Sequence, residues 1–422
     1  MPQDIHKNLS SSFLSILKWS ATILSIGVAI GCSCALFLYL LDQVTGYREN
    51  HKWIISLLPL AGLSIGLAYH YWGKEITKGN NLLLTAYENP KKVIPFRMAP
   101  FILIGTLITH LFGGSAGREG TAIQMGGAIA DQCTKYFKLT QHSRRTLIIM
   151  GISAGFSAVF GTPLAGALFA IEVLAFKKID LKAVIGSILV AYIAHYTCIS
   201  LGIHHTPYLV SSNQVLNFKS LSWSACTGLI FGITALLFSR LLHFWNKIFS
   251  STIKYPPFRP LLGGIFIVIA VWLLGTKYIG LGIPTIEAAF KTQLNSYDFL
   301  LKIILTTFTL GVGFKGGEVT PLFFIGATLG NVLIWIVPLP LDLLAAMGFV
   351  AVFAGATHAP IACTVMAVEL FGIKVMPFIA VSCCISYFFS GTHGIYADQF
   401  ISRPKLYFHK KVLRRYKKEV KH

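Results

Sequence analysis

A chain of 422 residues with 54% hydrophobic and only 12% charged side chains, and a mean hydropathy of +0.66, is far from a soluble domain, where roughly a quarter of residues are charged. It reads as an all-α polytopic membrane protein, one transmembrane domain over residues 1–422 with no room for a large soluble regulatory domain. The net charge of +20 resembles a nucleic-acid signal, yet nine Lys/Arg and a single Glu fall within residues 403–422, so the charge follows topology instead.

By the positive-inside rule that tail is cytosolic, in contact with anionic lipid headgroups, and no nucleic-acid partner is expected. At the other end Lys7 and Lys18 precede an apolar run over residues 21–41, too long for a signal-peptide core and taken as a retained first span. Apolar blocks follow near residues 53–72, 98–112, 121–137, 146–176 and 182–202, then near 221–248, 260–280, 298–313, 320–340, 343–372 and 375–392. Their lengths, from about 15 to about 30 residues, imply partial crossings and broken or tilted helices rather than a row of equal spans. The polar section over residues 204–222 is the expected linker between a first repeat at 13–203 and a second at 223–392, with 393–422 as an inner-gate segment and cytosolic tail. The eight cysteines show no zinc spacing and read as small core residues, so neither a metal nor a cofactor is expected.

Within the first half, residues 113–127 (GGSAGREGTAIQMGG) stand out. Arg118 and Glu119 are the only formal charges between Met98 and Ala130, and a charge at membrane depth costs about 2.5–3.5 kcal/mol on insertion scales. The surrounding glycines predict a helix break with freed backbone N–H groups and a new helix starting near Thr121. Such a positive helix end beside a carboxylate suits anion handling.

The halves repeat each other. SAGFSAVFGTPLAGALFAIEV aligns with FVAVFAGATHAPIACTVMAVEL when Pro163 is laid on Pro360, matching Phe156 with Phe353 and Glu172 with Glu369. GREGT at 117–121 lines up with GGEVT at 316–320, so that Glu119 falls opposite Glu318, and GNNLL at 79–83 has a counterpart in GIPTI at 282–286. Paired interruptions in two halves point to a binding site at the repeat interface near the bilayer midplane. Glu172 and Glu369, at corresponding ends of apolar helices, are expected to be structural.

This series of motifs, with GIY around Tyr396, resembles the CLC superfamily of anion channels and proton-coupled anion exchangers over about residues 15–400. The resemblance implies two inverted repeats whose broken helices meet at a central anion site, packed as a homodimer, multi-pass in the cell inner (plasma) membrane with both termini cytosolic. It assigns Glu119 as external gate and proton carrier and Tyr396 as the group closing the inner side of the anion path. Where chloride members carry GSGIP this chain has GNNLL; Thr121 replaces their Pro, Val173 replaces the inner glutamate of chloride exchangers, and GGEVTP replaces GxFxP. That combination resembles the fluoride/proton antiporter branch, which implies fluoride and protons as the transported partners; because the inner glutamate is missing at Val173 and something must replace it, Glu318 is expected to be a second proton-transfer group, and a chloride channel or chloride/proton exchanger is the alternative.

The residues support the same chemistry. Fluoride holds water more tightly than chloride, so its site must replace more hydrogen bonds, and Asn80, Asn81, Thr320 and Tyr396 offer side-chain donors beside the backbone at Gly117, Arg118 and Gly120. A carboxylate in that path is both a rival anion and a proton carrier. Adjacent side chains usually point apart, so Arg118 is expected to act near Glu119 without pairing to it; Glu318 has the competing reading of a helix cap. The G-x-S-x-G match at 151–155 suggests a serine hydrolase, but it lies in an apolar helical run rather than a strand-to-helix elbow, so no enzyme is expected.

Overall fold

Among the described residues each half contributes eight α-helices in the same order, and a further helical segment covers 403–410. The computed structural model describes residues 2–91, 93–137, 139–175, 180–211, 213–396, 399 and 402–410, with side chains from residue 15 onward apart from 142 and 175; most of the basic tail therefore lies outside the described residues. The first half comprises α1 (Pro2–Asn50), α2 (Leu58–Tyr71), α3 (Asn80–Glu88), α4 (Met98–Leu111), α5 (Glu119–Tyr136), α6 (Gln141–Phe160), α7 (Pro163–Ala170) and α8 (Leu181–Ser200). The second comprises α9 (Phe218–Thr252), α10 (Phe258–Leu274), α11 (Ile283–Ala289), α12 (Asp298–Gly311), α13 (Val319–Val332), α14 (Leu341–Thr357), α15 (Pro360–Phe371) and α16 (Met376–Phe389). The apolar part of α1 alone, Ser15–Asn50, is 36 residues, about 54 Å of helix, so it must tilt strongly to stay within a hydrocarbon layer of about 30 Å.

Local sequence explains the breaks. Gly161 (φ +84°) closes α6, and Pro163, whose missing N–H costs nothing at a first helical position, opens α7. In the second half His358 takes the place of Gly161 and accepts the left-handed conformation (φ +54°) before Pro360 opens α15. Gly79 (φ +55°) and Gly282 (φ +74°) likewise precede α3 and α11.

Corresponding helices run antiparallel, which establishes the repeats as inverted. A Cβ on Gly66 of α2 would lie 2.7 Å from the Cα of Pro257 at the start of α10, and one on Gly264 of α10 would lie 2.7 Å from the Cα of Pro59. The carboxylate of Glu172, just past α7, accepts the N–H groups of Ile361 (3.1 Å) and Ala362 (2.8 Å) at the start of α15; Glu369 of α15 accepts those of Leu164 (2.9 Å) and Ala165 (2.8 Å) at the start of α7. Each glutamate therefore caps the opposite helix, a favourable match of negative charge to a helix N-terminus.

The structure corrects the sequence in three places. Gly117 bridges Gly317, not Gly316, and α5 and α13 both start two residues after their bridging glycine, so the true register is 200 residues and Glu318 is equivalent to Arg118. The spacing between equivalents is 203 residues at Gly79/Gly282 and 197 at Pro163/Pro360, because loops shorten along the second half; matching the two glutamates letter by letter slipped one residue. Next, α5 begins at Glu119 rather than Thr121. Finally, residues 218–222 are not linker: Asn217 accepts from the Ser220 N–H (2.8 Å), the Ser220 hydroxyl faces the Asn217 N–H (3.1 Å), and this capping box starts α9 on its serines.

Candidate functional site

The two broken segments meet back to back. Gly117 and Gly317 exchange backbone hydrogen bonds of 2.6 and 2.8 Å. Glycine is required here, since a Cβ on Gly117 would sit 3.0 Å from the Gly317 carbonyl and 3.1 Å from the Thr320 nitrogen, and one on Gly120 would sit 2.9 Å from the Gly317 Cα.

Across this bridge Glu119, fully buried at the start of α5, reaches the first turn of α13. The Thr320 N–H donates to its Oε2 (3.1 Å) and the Thr320 hydroxyl lies 2.8 and 2.6 Å from Oε1 and Oε2. The Arg118 N–H adds a longer contact of 3.3 Å. A carboxylate thus occupies the helix N-terminus of the opposite repeat, a position whose free N–H groups and positive dipole end suit any small anion. Contrary to the expectation from adjacency, Arg118 and Glu119 do approach, with Nε 3.7 Å from Oε1.

Two cavities reach the residues flanking this contact. One, of about 190 Å³, is lined by Asn80, Asn81, Gln124, Lys315, Glu318 and Tyr396, among others. Asn80 Oδ1, Asn81 Oδ1, Glu318 Oε2 and Tyr396 Oη are all buried with no hydrogen-bond partner among the described residues. Four such atoms around one cavity mark a wall built to be satisfied by ions or solvent rather than by protein. Gly120 abuts it: the place of its missing Cβ is 3.4 Å from both Asn80 Nδ2 and Glu318 Oε2. The other cavity, of about 250 Å³, receives Arg118 together with Arg48, Glu49, Lys277 and the loop before α11. Arg118 therefore lines a different cavity from the asparagines.

Glu318 stands at the N-cap position of α13, and its side chain makes no capping hydrogen bond. Tyr396 lies on a segment pinned to the end of α14, where the Ile395 N–H donates to the Ala356 carbonyl (2.9 Å) and the Gln399 amide to the Thr357 carbonyl (2.7 Å). Val173 is buried. The G-x-S-x-G stretch is helical throughout α6, and its glycines serve packing: a Cβ on Gly151 would be 2.6 Å from that of Ala130 in α5.

Sequence reasoning missed two features. Phenylalanines from both halves stack between the repeats, Phe156 and Phe169 on Phe353 at 6.3 and 5.6 Å between ring centres; only the recurrence of Phe156 and Phe353 hinted at this. Two lysines were also passed over, Lys302 and Lys315, although a charge within or beside an apolar block was the signal already applied to Arg118 and Glu119. Lys302 is buried in α12 and donates to the carbonyls of Tyr278 (3.0 Å) and Gly280 (2.8 Å), which shapes the turn leading into α11.

Comparison with known proteins places this geometry. The family model for the voltage gated chloride channel matches residues 61–391. A chloride/fluoride channel protein of Pseudomonas syringae pv. tomato is 47% identical over 397 residues, 92% of this chain and 88% of that protein. The crystal structure of a CLC-type fluoride/proton antiporter superimposes with a TM-score of 0.89 at 35% identity, covering 92% of this chain and 99% of the other. That of a slow cyanobacterial Cl−/H+ antiporter gives a TM-score of 0.78 at 21% identity over 90% and 96% of the two chains, a likeness of fold alone.

Proposed function

The chain belongs to the voltage gated chloride channel family, and from that premise we propose that it is a proton-coupled fluoride antiporter that exports fluoride from the cytoplasm in exchange for protons. It is a transport protein, not an enzyme. The observation that carries the reading is the Glu119 carboxylate held by the Thr320 N–H and hydroxyl. When Glu119 is charged it competes with the anion for that helix end; when it takes up a proton its claim on the donors weakens and fluoride replaces it. Alternation of the two occupants couples the movements.

Fluoride as the preferred anion is supported by the likeness to a chloride/fluoride channel protein and to a CLC-type fluoride/proton antiporter, and by the polar wall of Asn80, Asn81 and Tyr396 together with the Thr320 hydroxyl at Glu119, which offer side-chain donors to an ion costly to dehydrate. Of the expected backbone donors in the first broken segment, the Arg118 N–H reaches the Glu119 carboxylate at 3.3 Å and Gly120 abuts the cavity of the asparagines, while the Gly117 N–H is taken by the Gly317 carbonyl. The nine Lys/Arg of residues 403–422 support a cytosolic C-terminal tail in a multi-pass inner-membrane protein, and we assign cytosolic termini and a homodimer by analogy with the family. In proteoliposomes under an imposed pH gradient, fluoride flux is expected to exceed chloride flux by tenfold or more, about the effect of one well-made interaction of 1.4 kcal/mol. Chloride flux above fluoride flux would select a chloride channel or chloride/proton exchanger instead.

Glu318 is the second proton group in this mechanism. Its Oε2, buried and unpartnered, faces the 190 Å³ cavity and lies near the same missing Cβ of Gly120 as Asn80. Glu318→Gln is expected to lower the ratio of protons to fluoride while leaving the protein folded; an unaltered ratio, measured by a pH electrode beside a fluoride electrode, would remove Glu318 from the proton path.

A further inference from the structure

We propose that Lys315 and Asn246 form a separate anion-holding site at the wall shared by two cavities on the side where α9 ends, so that fluoride is captured there before it reaches Asn80, Asn81 and Thr320. The inference rests on the transport function proposed above.

Beside the 190 Å³ cavity lies another of about 380 Å³, and Tyr69, Thr77, Asn246 and Lys315 line both. The larger cavity is also lined by His70, Lys74 and Arg259 and by no aspartate or glutamate, so its potential favours anions and draws them inward. Lys315 is the innermost of these cations. Its Nζ lies 4.2 Å from the centre of the Tyr69 ring, and among the described residues no carboxylate oxygen comes within salt-bridge distance of it. A lysine held at membrane depth without a counter-charge is unfavourable unless it faces an aqueous path and an ion in it, and such residues mark ion pathways.

The position is built rather than incidental. Lys315 occupies, in the second broken segment, the place that Ser115 takes in the first, three residues before Glu318 and five before Thr320. Its stem runs over Gly105 of α4, where a Cβ would be only 3.0 Å from the lysine Cβ and Cγ, so glycine there leaves the channel by which the ammonium reaches the junction. Lys302 of α12 is buried and donates to two backbone carbonyls, whereas the half-buried Lys315 has only a ring face among the described residues. Asn246 of α9 adds an amide donor at the same wall.

The test compares full-length wild-type protein, Lys315→Gln, Lys315→Arg and Asn246→Asp in proteoliposomes loaded with increasing fluoride. Lys315→Gln is expected to raise the apparent KM for fluoride about tenfold and to flatten its dependence on ionic strength, with maximal rate within about twofold. Lys315→Arg should restore the KM, and Asn246→Asp, nearly isosteric but negative, should raise it. A KM unchanged in both Lys315→Gln and Asn246→Asp overturns the proposal, as does a fall in maximal rate at constant KM, the signature of a lysine that only supports the fold. Wild-type protein that carries chloride and not fluoride would refute the fluoride reading, and the same KM comparison run in chloride then judges the Lys315 site on its own.

Discussion

Glu119→Gln is expected to reduce proton movement coupled to fluoride to the level of protein-free vesicles. Glutamine has the shape of the native side chain, and its amide oxygen can still accept from the Thr320 N–H, while the Thr320 hydroxyl can turn to accept from the amide NH2. The helix end therefore stays occupied and the fold is retained. What the amide cannot do is change charge, so the occupant can neither carry a proton nor alternate with fluoride at the N-terminus of α13. Simultaneous recording of external pH and fluoride after dissipation of a fluoride gradient measures this directly, and a variant whose proton-to-fluoride ratio equals wild type would remove Glu119 from the mechanism. Thr320→Val is a useful companion, since it keeps the backbone donor and removes only the hydroxyl.

The second large effect lies away from the pathway. Asp131 near the end of α5 is completely buried, accepts the Ile94 N–H (2.7 Å) and is held in a two-pronged ion pair by Arg144 of α6, which also donates to the Pro90 carbonyl. Asp131→Ala leaves a buried guanidinium with its counter-charge gone, a change that costs about 3–5 kcal/mol. The pair holds Pro90 and Ile94, just beyond the end of α3, and α3 presents Asn80 and Asn81 at its other end. A clearly lower midpoint of thermal unfolding in detergent is expected, with Asp131→Asn intermediate because it can keep the Ile94 hydrogen bond. An unchanged midpoint in Asp131→Ala would show that the pair contributes nothing net.

Much of this architecture was legible before any coordinates. Paired breaks at Gly79 and Gly282 and at Pro163 and Pro360 are written in residue types whose backbone preferences are local, and each pair begins a helix in the structure. The charge of Glu119 in an apolar block was equally plain. The alignment of Glu119 with Glu318 failed for a reason that is also physical. Identity of letters carried no information about which glycine bridges which, and the bridge between Gly117 and Gly317 sets the register.

The sequence by itself determined the class of molecule, the repeat, the break points and the candidate residues Asn80, Asn81, Glu119, Glu318, Thr320 and Tyr396, because apolar length, helix-breaking residues and isolated charges act over a few positions. Only the tertiary structure decided that the Glu119 carboxylate lies on Thr320 of the other repeat, 201 residues away, that Arg118 lines a different cavity from the asparagines, and that Glu172 and Glu369 cap each other's partner helices. Those contacts arise when two inverted halves close on each other. Their partners are chosen by the antiparallel packing of whole helices, a constraint that no local stretch of chain contains.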